Sequence, residues 1–141
     1  MRIKASSIAA VAALALIPVL GGAALATAGG TGAQALNCPG SGDVTPGDKC
    51  TTLSNGVLMI NETSTGSYVG LQYYKSGGSA VTARLGYLRQ GVNRWGGWQS
   101  MTAVNTYDAQ WSGLSGGCYP TNGLLNTSGG ATYQTPAADP C

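Results

Sequence analysis

The chain contains no histidine. That single absence excludes Ser-His-Asp and Cys-His nucleophilic machinery. It also removes the imidazole that most zinc sites use, and no C-x-x-C occurs to replace it. Metal sites of that kind and thiol redox catalysis therefore lack their residues. Neither a phosphate-cradling P-loop nor a dinucleotide fingerprint is present. Phenylalanine is also missing, so any aromatic part of a core must come from tyrosine or tryptophan.

Charge is scarce as well. Of seven basic residues, Arg2 and Lys4 sit at the extreme N-terminus. The rest, Lys49, Lys75, Arg84, Arg89 and Arg94, face Asp43, Asp48, Glu62, Asp108 and Asp139, and five minus five leaves no net charge. A neutral body has no electrostatic footprint for nucleic acid or an anionic membrane. Glu62 and Asp108 are the acids farthest from the cysteines. Paired carboxylates can hydrolyse a glycosidic bond, but acids prefer the surface, and these two read as exposed and solubilising. A Ser-Lys dyad would need Lys49 or Lys75, and both read as solvated beside turns or cysteines. Asp43 and Asp48 flank Pro46-Gly47 without the EF-hand spacing for calcium. The expectation is a non-enzyme with no metal and no cofactor.

What is present begins with an export pattern. Arg2 and Lys4 precede an apolar run from Ile8 to Leu20, followed by small residues and A-x-A sites ending at Ala28 and Ala35. Such a triplet of features marks a secretory signal peptide, here residues 1–28 with cleavage as late as 35. Pro18 and Gly21-Gly22 interrupt the run and no second apolar segment follows, which argues against a membrane anchor. A secreted, extracellular chain with no membrane contact after cleavage is expected, with about 106 to 113 residues in one domain.

Four cysteines remain in two separated pairs, Cys38 with Cys50 and Cys118 with Cys141. Sequence alone allows three pairings. The isolation of each pair favours the two short-range bridges, each adding about 3 kcal/mol to a modest core.

Between the pairs the pattern has a period of two. Tyr68, Gly70, Gln72 and Tyr74 alternate with Val69, Leu71 and Tyr73. Val81, Ala83, Leu85 and Tyr87 likewise alternate with Thr82, Arg84, Gly86 and Leu88. Such alternation marks half-buried strands. Ser54-Asn55-Gly56 carries the dipeptide of a type I′ hairpin between 51–53 and 57–60. Residues 63–66, 76–79 and 90–93 read as turns, and 94–104 as a strand interrupted by Gly96-Gly97. Further strands are expected at 107–111, 118–125 and 131–135, and no segment after the signal has a capped apolar helical stripe. Six to eight short strands with glycine turns predict an all-β, antiparallel β-sandwich or small barrel stapled by disulfides.

Residues 29–50 lack any apolar period and read as a flexible polar arm before a β-domain at 51–141. One reading is a leader held only by a disulfide; the other is an arm that docks into a partner by adding a strand, with Gly32, Gln34, Leu36 and Asn37 as its candidate contacts. Arg84, Arg89, Arg94 and Trp95 join them, because Trp, Tyr and Arg dominate interface hot spots. Tyr87, Trp95 and Trp98 would alternatively form a carbohydrate-binding face, while the competing role for the tryptophans is core filling. A third reading is an inhibitor of a protease or glycosidase that presents a rigid loop near Cys118.

Tyr73-Tyr74-Lys75-Ser76-Gly77-Gly78-Ser79, then Val81-Thr82-Ala83-Arg84-Leu85-Gly86, and the ending Tyr133-Gln134-Thr135-Pro136-Ala137 with Cys141 resemble small secreted proteins of filamentous actinobacteria. More narrowly, the chain resembles the small adaptor subunit of actinobacterial umbrella toxin particles. That resemblance implies a secreted β-domain linking a lectin-bearing subunit to a toxin stalk, its N-terminal segment inserted in a partner cleft. Residues 29–50 correspond to that segment by position and composition, and no individual residue is carried over. The expected function is thus binding of a secreted protein partner as an adaptor, with carbohydrate as the alternative ligand.

Overall fold

A computed structural model describes residues 38–141. The expected signal peptide, residues 29–37 of the arm, and with them Gly32, Gln34, Leu36 and Asn37, lie outside the described residues. Nine strands follow in order: β1 (Asp48–Leu53), β2 (Gly56–Glu62), β3 (Tyr68–Lys75), β4 (Val81–Arg89), β5 (Val92–Trp95), β6 (Gln99–Met101), β7 (Asn105–Ser112), β8 (Thr121–Thr127) and β9 (Thr132–Ala138). They form two antiparallel sheets, ordered β1-β2-β3-β7 and β5-β4-β8-β9, with β6 beside β5 on the same side of β4. The architecture is a sandwich with open sheets and not a closed barrel.

The period of two does its expected work. Val69, Leu71 and Tyr73 face inward and are buried, and so are Ala83, Leu85 and Tyr87 from the opposing sheet. Leu58 and Ile60 of β2, Met101 of β6, Leu125 of β8 and Ala138 of β9 complete the core. Burying one large apolar side chain contributes about 1.5–3 kcal/mol, so these positions hold the sheets face to face. Trp111 closes one end, its ring edge-on to Tyr87 at a centroid distance of 5.0 Å. Gly123 keeps the layers close, since a Cβ there would stand 3.1 Å from the Cβ of Ile60.

Several expectations are corrected. The turn between β1 and β2 centres on Ser54-Asn55, neither of which has positive φ, so it is not type I′. Gly56 belongs to β2, where a Cβ would lie 2.1 Å from the carbonyl oxygen of Tyr74. The hairpin with positive φ at both central residues is Gln90-Gly91, at 52° and 75°, between β4 and β5. The strand expected over 94–104 is two short ones, both paired with β4.

The boundary drawn after Cys50 cuts through β1. Residues 38–47 are laid on the body: Cys50 N donates to Gly42 O (2.9 Å), Glu62 N to Gly47 O (2.8 Å) and Asp139 N to Pro46 O (2.9 Å). This segment roofs a second small apolar cluster of Cys50, Val57 and Met59, with Cys38, Val44 and Tyr74 packed around it. Both short-range disulfides form, Cys38–Cys50 and Cys118–Cys141.

Candidate functional site

Three charged residues expected at the surface are buried. Arg89 is 8% exposed and donates Nη1 to Gly66 O (2.7 Å) and Nη2 to Gly117 O (3.0 Å). It therefore ties the β2–β3 loop to the β7–β8 loop from inside, and does not face a partner. Glu62 lies beside it at 3.5 Å. Burial pushes the Glu62 carboxyl above the ordinary carboxylate range, partly offset by the Thr121 hydroxyl and the Arg89 charge. The Thr121 hydroxyl donates to Tyr119 O, so neither carboxylate oxygen accepts a well-formed hydrogen bond. Lys75 is fully buried, its ammonium donating to Gly77 O. The signal was available: Glu62, Lys75 and Arg89 are each in phase with the inward residues of β2, β3 and β4.

The remaining acids are engaged at the surface. Asp43 pairs with Lys49 at 2.9 Å, and Asp48 accepts from Thr45 Oγ1 (2.7 Å) and from the Asn61 amide. Among the described residues no group of three metal-ligating side chains occurs.

The aromatic and arginine cluster divides between core and surface. Tyr87 is buried, in register with Leu85, and offers no face to a sugar. Trp95 lies across Gly86 of β4, where a Cβ would stand 2.4 Å from the indole; the ring covers a glycine in the strand beside it. Arg84 carries its guanidinium over Trp95 at 4.5 Å and over Trp98 at 4.4 Å, and donates Nε to Asn126 Oδ1 (3.1 Å). The cation thus occupies a face of each ring. Trp95 and Trp98 do not make the flat, vacant pair of rings a sugar platform requires. Arg94 is exposed on β5.

The loop before Cys118 is pinned down. Leu114 N donates to Ser67 O (3.1 Å) and Gly117 N to Thr65 O (3.0 Å), in addition to the Arg89 clamp.

The sheet edges differ more than any side-chain cluster. An unpaired edge presents free backbone groups, and native sheets blunt such edges with short strands, proline, lysine, bulges or a cover. On β1, Gly42 accepts from Cys50 N and Asp43 bridges Lys49. On β9, Pro136 stands in the strand, the pairing with β8 shifts register, and Thr51 Oγ1 donates to Gln134 O (3.0 Å). The β5/β6 edge is broken into pieces of four and three residues.

Among the described residues, none of these devices protects β7. It runs for eight residues, pairs one-to-one with β3 without a bulge, and contains no proline or lysine. Among the described residues, its backbone makes no hydrogen bond except those of the β3 ladder. Sequence reasoning missed this edge, because nothing local to 105–112 says that only one neighbour will pair with it.

Beside this edge, the outer face of β2–β3–β7 carries a trough of about 520 Å³. Gly70 is in its floor, with Tyr68, Gln72, Asp108 and Gln110 around it. No protein-family model, no curated protein and no solved structure matches the chain.

Proposed function

We propose that this chain is an exported, non-catalytic β-sandwich that acts as an adaptor, binding a second secreted protein. The carrying observation is the open, unbulged edge of β7 beside three protected ones. An extended segment of the partner adds to such an edge, with main-chain hydrogen bonds supplying affinity. The segment before Cys38 is the second contact, its base held to the sandwich by the Cys38–Cys50 bridge. Two disulfides fit an oxidising compartment outside the cell.

The test is affinity capture from the producer's culture supernatant, with the wild type, a form lacking residues 29–37, and Thr106→Lys/Ser112→Lys. Both substituted positions are exposed ends of β7 outside the trough. The reading expects a secreted protein that is retained by wild type and lost from the lysine variant, with β7 amides gaining hydrogen-exchange protection in the complex. Equal recovery with the lysine variant, or protection confined to other strands, refutes the edge as the contact.

A further inference from the structure

The trough on the outer face of the four-stranded sheet is a site of its own. We propose that it binds a neutral saccharide, with one sugar ring resting on Tyr68 and its hydroxyls held by Asp108 and Gln110. The site is distinct from the Trp95–Arg84–Trp98 stack on the other sheet and does not depend on strand addition at β7.

The cross-strand register builds it. Cys50, Met59, Gln72 and Asp108 form one row across the outer face, and Asp48, Asn61, Gly70 and Gln110 form the next. Residues 38–47 roof the β1–β2 half of this face. Over β3 and β7 the face is left as the trough, bordered by Met59 and Asn61.

Gly70 decides its shape. A Cβ at this position would stand 2.8 Å from the Tyr68 hydroxyl oxygen and 3.1 Å from ring carbon Cε1. Glycine there has no positive φ to explain it; its function is room, which lets the Tyr68 ring lie along the sheet. The ring packs beside Gly70 and its aromatic surface borders the trough. An aromatic face of this kind meets the C–H side of a pyranose, through dispersion and desolvation of both.

The polar rim matches hydroxyls and little else. Gln72 Nε2 donates to Asp108 Oδ1 (2.9 Å), and Tyr68 donates its hydroxyl to Gln110 Oε1 (3.2 Å). These two bonds fix the rim side chains before any ligand arrives, which lowers the ordering cost of binding. They leave Asp108 Oδ2 as an acceptor and Gln110 Nε2 as a donor among the described residues. A sugar hydroxyl both donates and accepts, so an adjacent pair of hydroxyls can use both groups. Among the described residues no lysine or arginine lines the trough, which disfavours an anion, and the Asp108 carboxylate already serves an amide.

The experiment is a titration of the isotope-labelled protein with maltohexaose, cellohexaose and chitohexaose, and separately with a lysine-rich peptide, followed by amide shifts. Expected is saturable movement of Gly70, Gln72, Asp108 and Gln110 with at least one of the oligosaccharides. Tyr68→Ala and Asp108→Ala should each weaken it by about tenfold or more. Asp108 is exposed, so its variant reports on binding without risk to the fold. Trp98→Ala and the β7 lysine variant should bind as wild type, which separates this site from the edge. No shift with any of the three sugars at millimolar concentration, undiminished binding by both trough variants, or a response to the peptide alone overturns the proposal.

Discussion

At one end of the four-stranded sheet, β1 is covered by residues 42–43 of its own lead-in segment, and the Cys38–Cys50 bridge holds that cover down. At the other end, β7 runs eight residues with no such cover among the described residues. The two edges close the same sheet and have the same ladder chemistry, yet among the described residues only β1 has its outer backbone groups occupied. Protection is costly in sequence: it takes a disulfide, two close-approach glycines at 42 and 47 and an ion pair on the β1 side. A sandwich that guards three edges and leaves the longest unguarded one regular has a surface suited to one more strand.

The largest disturbance of this contrast is expected from Arg89→Ala. The guanidinium fastens the β2–β3 loop at Gly66 to the β7–β8 loop at Gly117. Removing it leaves Glu62 buried without its partner, and a loss of about 3–5 kcal/mol in denaturant unfolding is expected. Next is Cys38→Ala/Cys50→Ala, which strips the cover from β1. Unfolding free energy should fall by about 3 kcal/mol, and the amides of β1 should exchange as fast as the outer ones of β7. If β1 keeps its protection, the bridge is not what guards that edge.

Thr106→Lys/Ser112→Lys tests the open side. Stability should change by less than about 0.5 kcal/mol, since both sites are exposed, while partner capture falls by about tenfold or more. Smaller still is Trp98→Ala at the β5/β6 edge, where one of two cation–π contacts is lost. A drop of about 0.5–1 kcal/mol is expected in thermal or chemical melts.

Glu62 adds a pH dependence with a defined sign. Its folded-state pKa is raised, first by burial, so above the ordinary carboxylate value the folded chain binds more protons than the unfolded one. Stability therefore declines as pH rises from the ordinary carboxylate value through the raised one, and is regained on acidification through the same window. Glu62→Gln should flatten this part of a stability–pH profile; an unchanged slope would assign it to another group.

Strand phase was legible at single-residue detail in β3 and β4, because alternation is a local property of an extended chain with one wet face. The same phase already contained the burial of Lys75, Arg89 and Glu62, each of which falls on the apolar side of its strand. Residue type argued the other way for them, since isolated charges are usually solvated. The carbonyls that stabilise Arg89 come from positions 66 and 117, and only the folded loops bring those together. Tyr87 was misjudged for the same reason: its place in the Arg/Trp-rich segment outweighed its register with Leu85. Trp98, considered as core, is the exposed one at 49%.

Composition and spacing by themselves determined that this is a histidine-free chain of alternating β-strands with four cysteines in two separated pairs, because alternation is a local property of the chain. The folded chain then joined each pair within itself. Tertiary structure alone decided which strands became edges, which charges were enclosed, and that Tyr68, Asp108 and Gln110 would border one trough. Those outcomes depend on β3 pairing with β7 and β4 with β8. The partners lie tens of residues apart, and the choice among long-range pairings rests on the packing of the whole core, not on any local pattern.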